Sequence, residues 1–134
     1  MRDFKNLKVW QRSHALTLSV FRTVGGIRDP KFVSLRDKLT DAGMSIATKI
    51  VVGNCQDTDR EFARFIRISL RSTVELENHL IAARDGRVIT ATDFKSLTAQ
   101  TVEVRRMLYG LLRHLDRSRL DPAAPKGRSA VTKP

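Results

Sequence analysis

TDREFARFIRISLRSTVELENHLIAARDG, residues 58–86, is written at helical period. At about 100° per residue, Phe62, Ile66, Ser69, Thr73, Leu76 and Leu80 fall on one side, a seam that only packing against other helices can satisfy. The opposite side carries Arg60, Arg64, Arg67 and Arg71 at i, i+4, i+7 and i+11, a ridge of guanidinium groups within about 60° of arc. Thr58 followed by Glu61 has the pattern of a capping box, and Gly86 offers a left-handed residue to end the helix. About 28 residues at 1.5 Å each make a rod of roughly 42 Å.

The segments on either side resolve into three more helices. Leu7, Trp10, His14, Leu18 and Phe21 recur at helical spacing, backed by Leu16, Val20 and Val24, until Gly25-Gly26 stops the pattern. Asp29-Pro30 predicts the next start, with Phe32, Leu35, Leu39, Ala42, Ile46 and Ile50 on one face and an end near Gly53-Asn54. Gly43 and Ala47, one turn apart, would let a neighbouring helix come close. Thr90 with Asp93 opens the last helix, where Phe94, Leu97, Thr101, Val104, Leu108, Leu111 and Leu115 form an a/d heptad seam. Four helices with short links predict an all-α, antiparallel up-down-up-down four-helix bundle over residues 1–117. Residues 118–134, with Asp121-Pro122, Pro125 and scattered Arg119, Lys126, Arg128 and Lys133, cannot bury a face and read as a disordered basic tail.

A chain of 134 residues with 41% hydrophobic and 29% charged residues suits one helical domain. Its formal net charge of +11 and pI near 10.9 point to a polyanion as partner, by charge a nucleic acid or an anionic membrane surface. The lone Cys55 excludes a disulfide framework within the chain and fits a reducing, cytoplasmic setting. No run of about 18 apolar residues occurs, so a membrane-spanning role is not expected.

Enzymatic chemistry needs converging groups, and the sequence offers none. A di-metal bundle requires Glu-x-x-His on two helices, whereas Glu61, Glu75, Glu77 and Glu103 are followed three residues on by Arg64, Asn78, Leu80 and Arg106. His14 on an apolar face reads as a core or interface residue, and His79 and His114 as surface groups. There is no Gly-rich phosphate loop, Cys-x-x-Cys pair or serine nucleophile motif. No catalytic residue, metal or cofactor is therefore expected. Glu77, flanking the apolar seam, predicts a salt bridge within or between subunits.

Asp3-Phe4, Leu7-Lys8-Val9-Trp10-Gln11 and His14, then Leu35, Leu39, Ser45-Ile46 and Ile50 to Gly53, form a recognisable set with Glu61-Phe62, Arg64-Phe65 and Val74-Glu75-Leu76-Glu77. Together they resemble the bacterial four-helix-bundle proteins encoded in intervening sequences of large-subunit ribosomal RNA genes, over roughly residues 3 to 115. The resemblance implies a homopentameric barrel of bundles without enzymatic activity. It also implies kinship with the accessory variability determinant of diversity-generating retroelements, a basic pentamer that binds nucleic acid and a reverse transcriptase. The chain departs from the pattern where Lys49 and Val52 replace the usual Asn and Glu, and where Thr40 and Asp41 replace paired basic residues.

The functional expectation is a non-enzymatic oligomer that binds RNA or DNA through backbone phosphates. The candidate contacts are Arg60, Arg64, Arg67 and Arg71, with Arg105, Arg106, Arg113 and Arg117 on the last helix. The candidate partners are nucleic acid, further copies of the chain and a reverse transcriptase. The alternative is a scaffold whose basic face meets an acidic protein, or an arginine face closed by Glu75 or by a subunit contact. The small residues Gly43 and Ala47, with Ile68, Val74 and Ile81 apolar but off the main seams, point to self-association.

Overall fold

The computed structural model describes residues 3–120. It holds four helices, α1 (Lys8–Val24), α2 (Val33–Asn54), α3 (Asp59–Asp85) and α4 (Ala91–Leu120), with 3-10 turns at Phe4–Asn6 and Pro30–Phe32 and no strand among the described residues. The helices share one core, in which Leu16, Leu39, Ile46, Ile50, Phe62, Ile66, Leu76, Leu80, Leu108 and Leu115 are fully enclosed.

α3 forms as its period dictates. The Thr58 hydroxyl accepts the Glu61 N–H at 3.2 Å, satisfying a first-turn donor, and all six seam residues are buried. α4 repeats the device, with Thr90 Oγ1 accepting the Asp93 N–H at 3.0 Å. Its heptad positions from Leu97 to Leu115 are buried, while Phe94 is half-buried under Arg84, whose guanidinium carbon lies 4.4 Å from the ring centroid. α4 continues through Leu120 and so takes in residues 118–120, the first three of the expected tail. The rest of that expectation, residues 121–134, lies outside the described residues.

α1 corrects the sequence reading. Its buried side is Val9, Ser13, Leu16, Thr17, Val20 and Val24, whereas His14, Leu18 and Phe21 face outward and Trp10 is half-buried. The chosen stripe and the true one are both apolar. The small hydroxyls decide between them, because Ser13 and Thr17 can be buried by donating to the Val9 and Ser13 carbonyls four residues back. The Thr17 hydroxyl also lies 3.1 Å from the Gly43 carbonyl of α2.

Gly43 and Gly53 both mark close helix approach. A Cβ on Gly43 would lie 3.4 Å from Val20 Cγ2, and one on Gly53 would lie 2.9 Å from Phe62 Cδ1 and 3.0 Å from Phe65 Cβ. α2 ends at Asn54, as its sequence predicts, and Gly53 in its last turn is also a packing residue. At the far end of α3 the left-handed position falls on Arg87, with φ 59°, while Gly86 keeps helical φ at −78°. The Val88 N–H reaches back to the Ala83 carbonyl at 2.8 Å, and Val88 and Ile89 pack on the core. Seating those two side chains moves the turn one residue beyond the glycine.

Cross-contacts give the register. Ser45 shares a hydrogen bond with Ser72 at 2.9 Å, the Ser69 hydroxyl donates to the Ile46 carbonyl at 2.9 Å, and Gly53 meets Phe62. On the next pair Arg67 meets Asp116, Thr73 meets Arg105 and Arg84 meets Phe94. On α1 and α2, Val20 meets Gly43 and Ile27 meets Arg36. In each pair the numbers fall on one helix as they rise on the other. The start of α1, the end of α2, the start of α3 and the end of α4 therefore gather at one end of the molecule.

Candidate nucleic-acid interface

The ridge on α3 stands as its period requires. Arg60, Arg64, Arg67 and Arg71 are all exposed on the side away from Phe62, Ile66 and Leu80. Their surroundings differ. Arg64 is held by Glu61 at 3.1 Å and lies 4.4 Å above the Phe65 ring, while Arg67 reaches both carboxylate oxygens of Asp116 at 3.1 Å. Arg60 and Arg71 have no ion pair among the described residues, so the pairing of Arg71 with Glu75 weighed above does not form.

On α4, Arg106, Arg113 and Arg117 are exposed, and among the described residues only Arg106 of the three has an ion pair, with Glu103 at 3.6 Å. Arg105 is a correction. Its guanidinium turns inward, donating from Nε to Thr73 Oγ1 at 3.0 Å and from Nη2 to the Thr73 carbonyl at 3.2 Å and to Glu77 at 2.8 Å. It braces α4 to α3 and is spent on the fold. The salt bridge expected at Glu77 is this one, formed inside the chain.

The register brings the unpaired arginines of α3 and α4, Arg60, Arg71, Arg113 and Arg117, to one end. Residues 3–16, 44–72 and 106–117, which make the end bearing the α2–α3 turn, carry 11 Lys and Arg against 5 Asp and Glu. Residues 17–43 and 73–105, which make the opposite end, carry 9 against 8. A phosphate chain would meet almost all of the folded part's excess charge at one end, where seven of the 11 cations have no ion pair among the described residues and lose none on binding. Linear reading missed this polarity, because the basic residues come from four separated segments.

It also missed Tyr109, which is 48% exposed on α4 between Arg106 and Arg113. The signal was present as an aromatic off the heptad seam with arginines three residues before it and four after. Four other outward apolar residues belong to the first two helices, Leu18 and Phe21 to α1 and Val33 and Met44 to α2. Trp10 packs edge-on to Phe4 at 5.1 Å and stacks with His14 at 4.9 Å. Of the residues expected to drive self-association, Val74 and Ile81 are exposed and Ile68 is half-buried, while Gly43 serves the contact with α1 inside the chain.

Two shallow grooves open between helices. One of about 300 Å³ is lined by Ser19, Arg22, Thr23, Asp93, Ser96 and Leu97. The other, of about 310 Å³, is lined by Lys38, Asp41, Ala42, Ser45, Ser72, Glu75 and His79. Among the described residues no group of three His, Cys, Asp or Glu could hold a metal ion, and no helix is long and apolar enough to cross a membrane.

No curated protein matches the chain. A 1.70 Å crystal structure of a protein with unknown function from the S23 ribosomal protein family of Bacteroides thetaiotaomicron VPI-5482 is similar in fold, with a TM-score of 0.74. Its identity to this chain is 17%, and the match covers 78% of this chain and 98% of that one. The family model of the 23S rRNA-intervening sequence protein matches residues 5–110, which take in nearly all of the four helices, and the chain belongs to that family.

Proposed function

We propose that this protein is a non-enzymatic, up-down-up-down four-helix bundle that self-associates and binds RNA or DNA through backbone phosphates at its basic end. The observation that carries the reading is the gathering of unpaired arginines, Arg60 and Arg71 from α3 with Arg113 and Arg117 from α4, at the one end where charge is strongly unbalanced. Successive ridge positions are about 5–6 Å apart, close to the spacing of phosphates along a strand. Arg64 and Arg67 add charge at the cost of weakening surface pairs, which are worth about 0–1 kcal/mol each.

The outward apolar residues of α1 and α2 support self-association on the face that leaves the arginines free. A pentamer, kinship with the accessory variability determinant and a reverse transcriptase as protein partner extend the reading along the family resemblance. Exposed, unpaired Cys55 suits a cytoplasmic protein.

The test is a titration of a labelled oligonucleotide over a salt series with the wild type and with Arg60, Arg64, Arg67 and Arg71 all changed to Gln. Gln keeps helix propensity and leaves the seam intact. The wild type should show a log–log salt slope of about −3 or steeper, and the variant should lose most of both slope and affinity. Equal slopes would reject the ridge as the phosphate contact. Light scattering of the same samples addresses assembly, and a monodisperse monomer of 15.2 kDa would reject it.

A further inference from the structure

We propose that Tyr109 is a base-stacking platform and that the nucleic acid this surface takes is single-stranded; the inference rests on the phosphate-binding reading above. Tyr109 is the chain's one tyrosine and stands 48% exposed on α4. Two cross-links bracket it, Arg105 with Thr73 on one side and Arg67 with Asp116 on the other. At 100° per residue Tyr109 lies about 40° round α4 from Arg105 and about 20° from Asp116, so the ring emerges on the α3 side of the outward face. Arg106 and Arg113 follow within about 60° further round α4. On α3, Arg71 falls between the same two cross-links and about 40° outward of Arg67.

The ring therefore stands on the outward face of α4, with Arg71 of α3 to one side of it and Arg106 and Arg113 of α4 to the other. Among the described residues Arg71 and Arg113 have no ion pair, and Arg106 has only a 3.6 Å contact to Glu103. A backbone held by the arginines on either side can lay its bases over the ring. Bases in a duplex have their faces covered by their neighbours and cannot reach a ring lying on a convex helix surface. Bases in a single strand can, and an aromatic face accepts any of them. Arginine supplies the charge and tyrosine the preference for an open strand.

The experiment compares three labelled probes of equal length by fluorescence polarisation: a thymidine 20-mer, an abasic 20-mer with the same phosphates, and a 20-base-pair duplex. The proteins are the wild type, Tyr109→Ala and Tyr109→Phe. Wild type should bind the thymidine strand roughly ten-fold more tightly than the abasic one, the scale of one or more stacked bases. Tyr109→Ala should bring the two strands to the same affinity with an unchanged salt slope, and Tyr109→Phe should keep the difference. Duplex affinity should be insensitive to either change. Equal wild-type affinity for thymidine and abasic strands overturns the stacking platform while leaving phosphate binding in place. No binding to any probe overturns both readings. A change in oligomer size for Tyr109→Ala would put the ring in a subunit contact and also overturn the proposal.

Discussion

Arg105 and Glu77 meet at 2.8 Å across the α3–α4 interface, with side chains 21% and 33% exposed, and Arg105 also donates twice to Thr73. One guanidinium thus satisfies a carboxylate, a hydroxyl and a helical carbonyl at once. Removing it leaves Glu77 partly shielded from water with no counter-charge. Arg105→Ala should cost about 1–2 kcal/mol, the upper part of the buried-pair range being cut back by partial exposure. Urea unfolding measures this. Oligonucleotide affinity of the folded variant should stay within about two-fold of wild type, because Nε and Nη2 of this arginine are engaged with Thr73 and Glu77 and its charge is already balanced by a carboxylate. A large loss of affinity with unchanged stability would reverse the assignment.

Arg87 holds φ 59° although glycine stands one residue earlier. A non-glycine residue there strains Cβ against its own backbone by about 1–2 kcal/mol, and glycine returns part of that gain as extra freedom in the unfolded chain. Arg87→Gly should stabilise the protein by about 0.5–1 kcal/mol in urea or thermal unfolding. A neutral or destabilising result would mean that the Arg87 side chain makes up for its strain.

Much of this fold was legible, and the two main misreadings have a common cause. The α3 seam and the α4 heptad were unambiguous because each helix has a single apolar stripe opposite a charged one. α1 has two apolar stripes, and period alone cannot rank them. Burial went to the one carrying Ser13 and Thr17, since hydroxyls bonded to their own helix suit a tight contact with Gly43. Arg105 was grouped with the outward arginines because its inward turn depends on Thr73 and Glu77, 32 and 28 residues away. The interface shared that fate in larger measure. Its arginines were visible one by one, but their confinement to one end follows from helix pairing.

Gly43 and Gly53 look alike in sequence and should behave oppositely. Alanine at 43 would place its Cβ 3.4 Å from Val20, an ordinary contact, and would gain up to about 1 kcal/mol of helix propensity. Alanine at 53 would meet Phe62 at 2.9 Å and Phe65 at 3.0 Å, where overpacking costs about 1–3 kcal/mol. Gly43→Ala should therefore be neutral or stabilising and Gly53→Ala destabilising. Equal effects would mean that α2 and α3 separate easily.

The charge polarity separates site-directed binding from general attraction to a basic protein. Arg71, Arg113 and Arg117 lie at the basic end, and Arg28, Arg87 and Lys95 lie toward the other; all six are exposed and none has an ion pair among the described residues. Changing either trio to Gln lowers the net charge by the same amount, so long-range attraction falls comparably in both variants. Direct phosphate neutralisation does not. Three contacts contribute about two units of log–log salt slope on a single strand, so the Arg71, Arg113 and Arg117 variant should lose about that much slope. The Arg28, Arg87 and Lys95 variant should keep it and lose only modest affinity at low salt, where screening is weakest. Both proteins should unfold near the wild-type temperature, since Gln at position 87 carries the same Cβ strain as Arg. Equal losses in the two variants would mean that the chain attracts nucleic acid by net charge alone, and that the end bearing the α2–α3 turn has no privileged role.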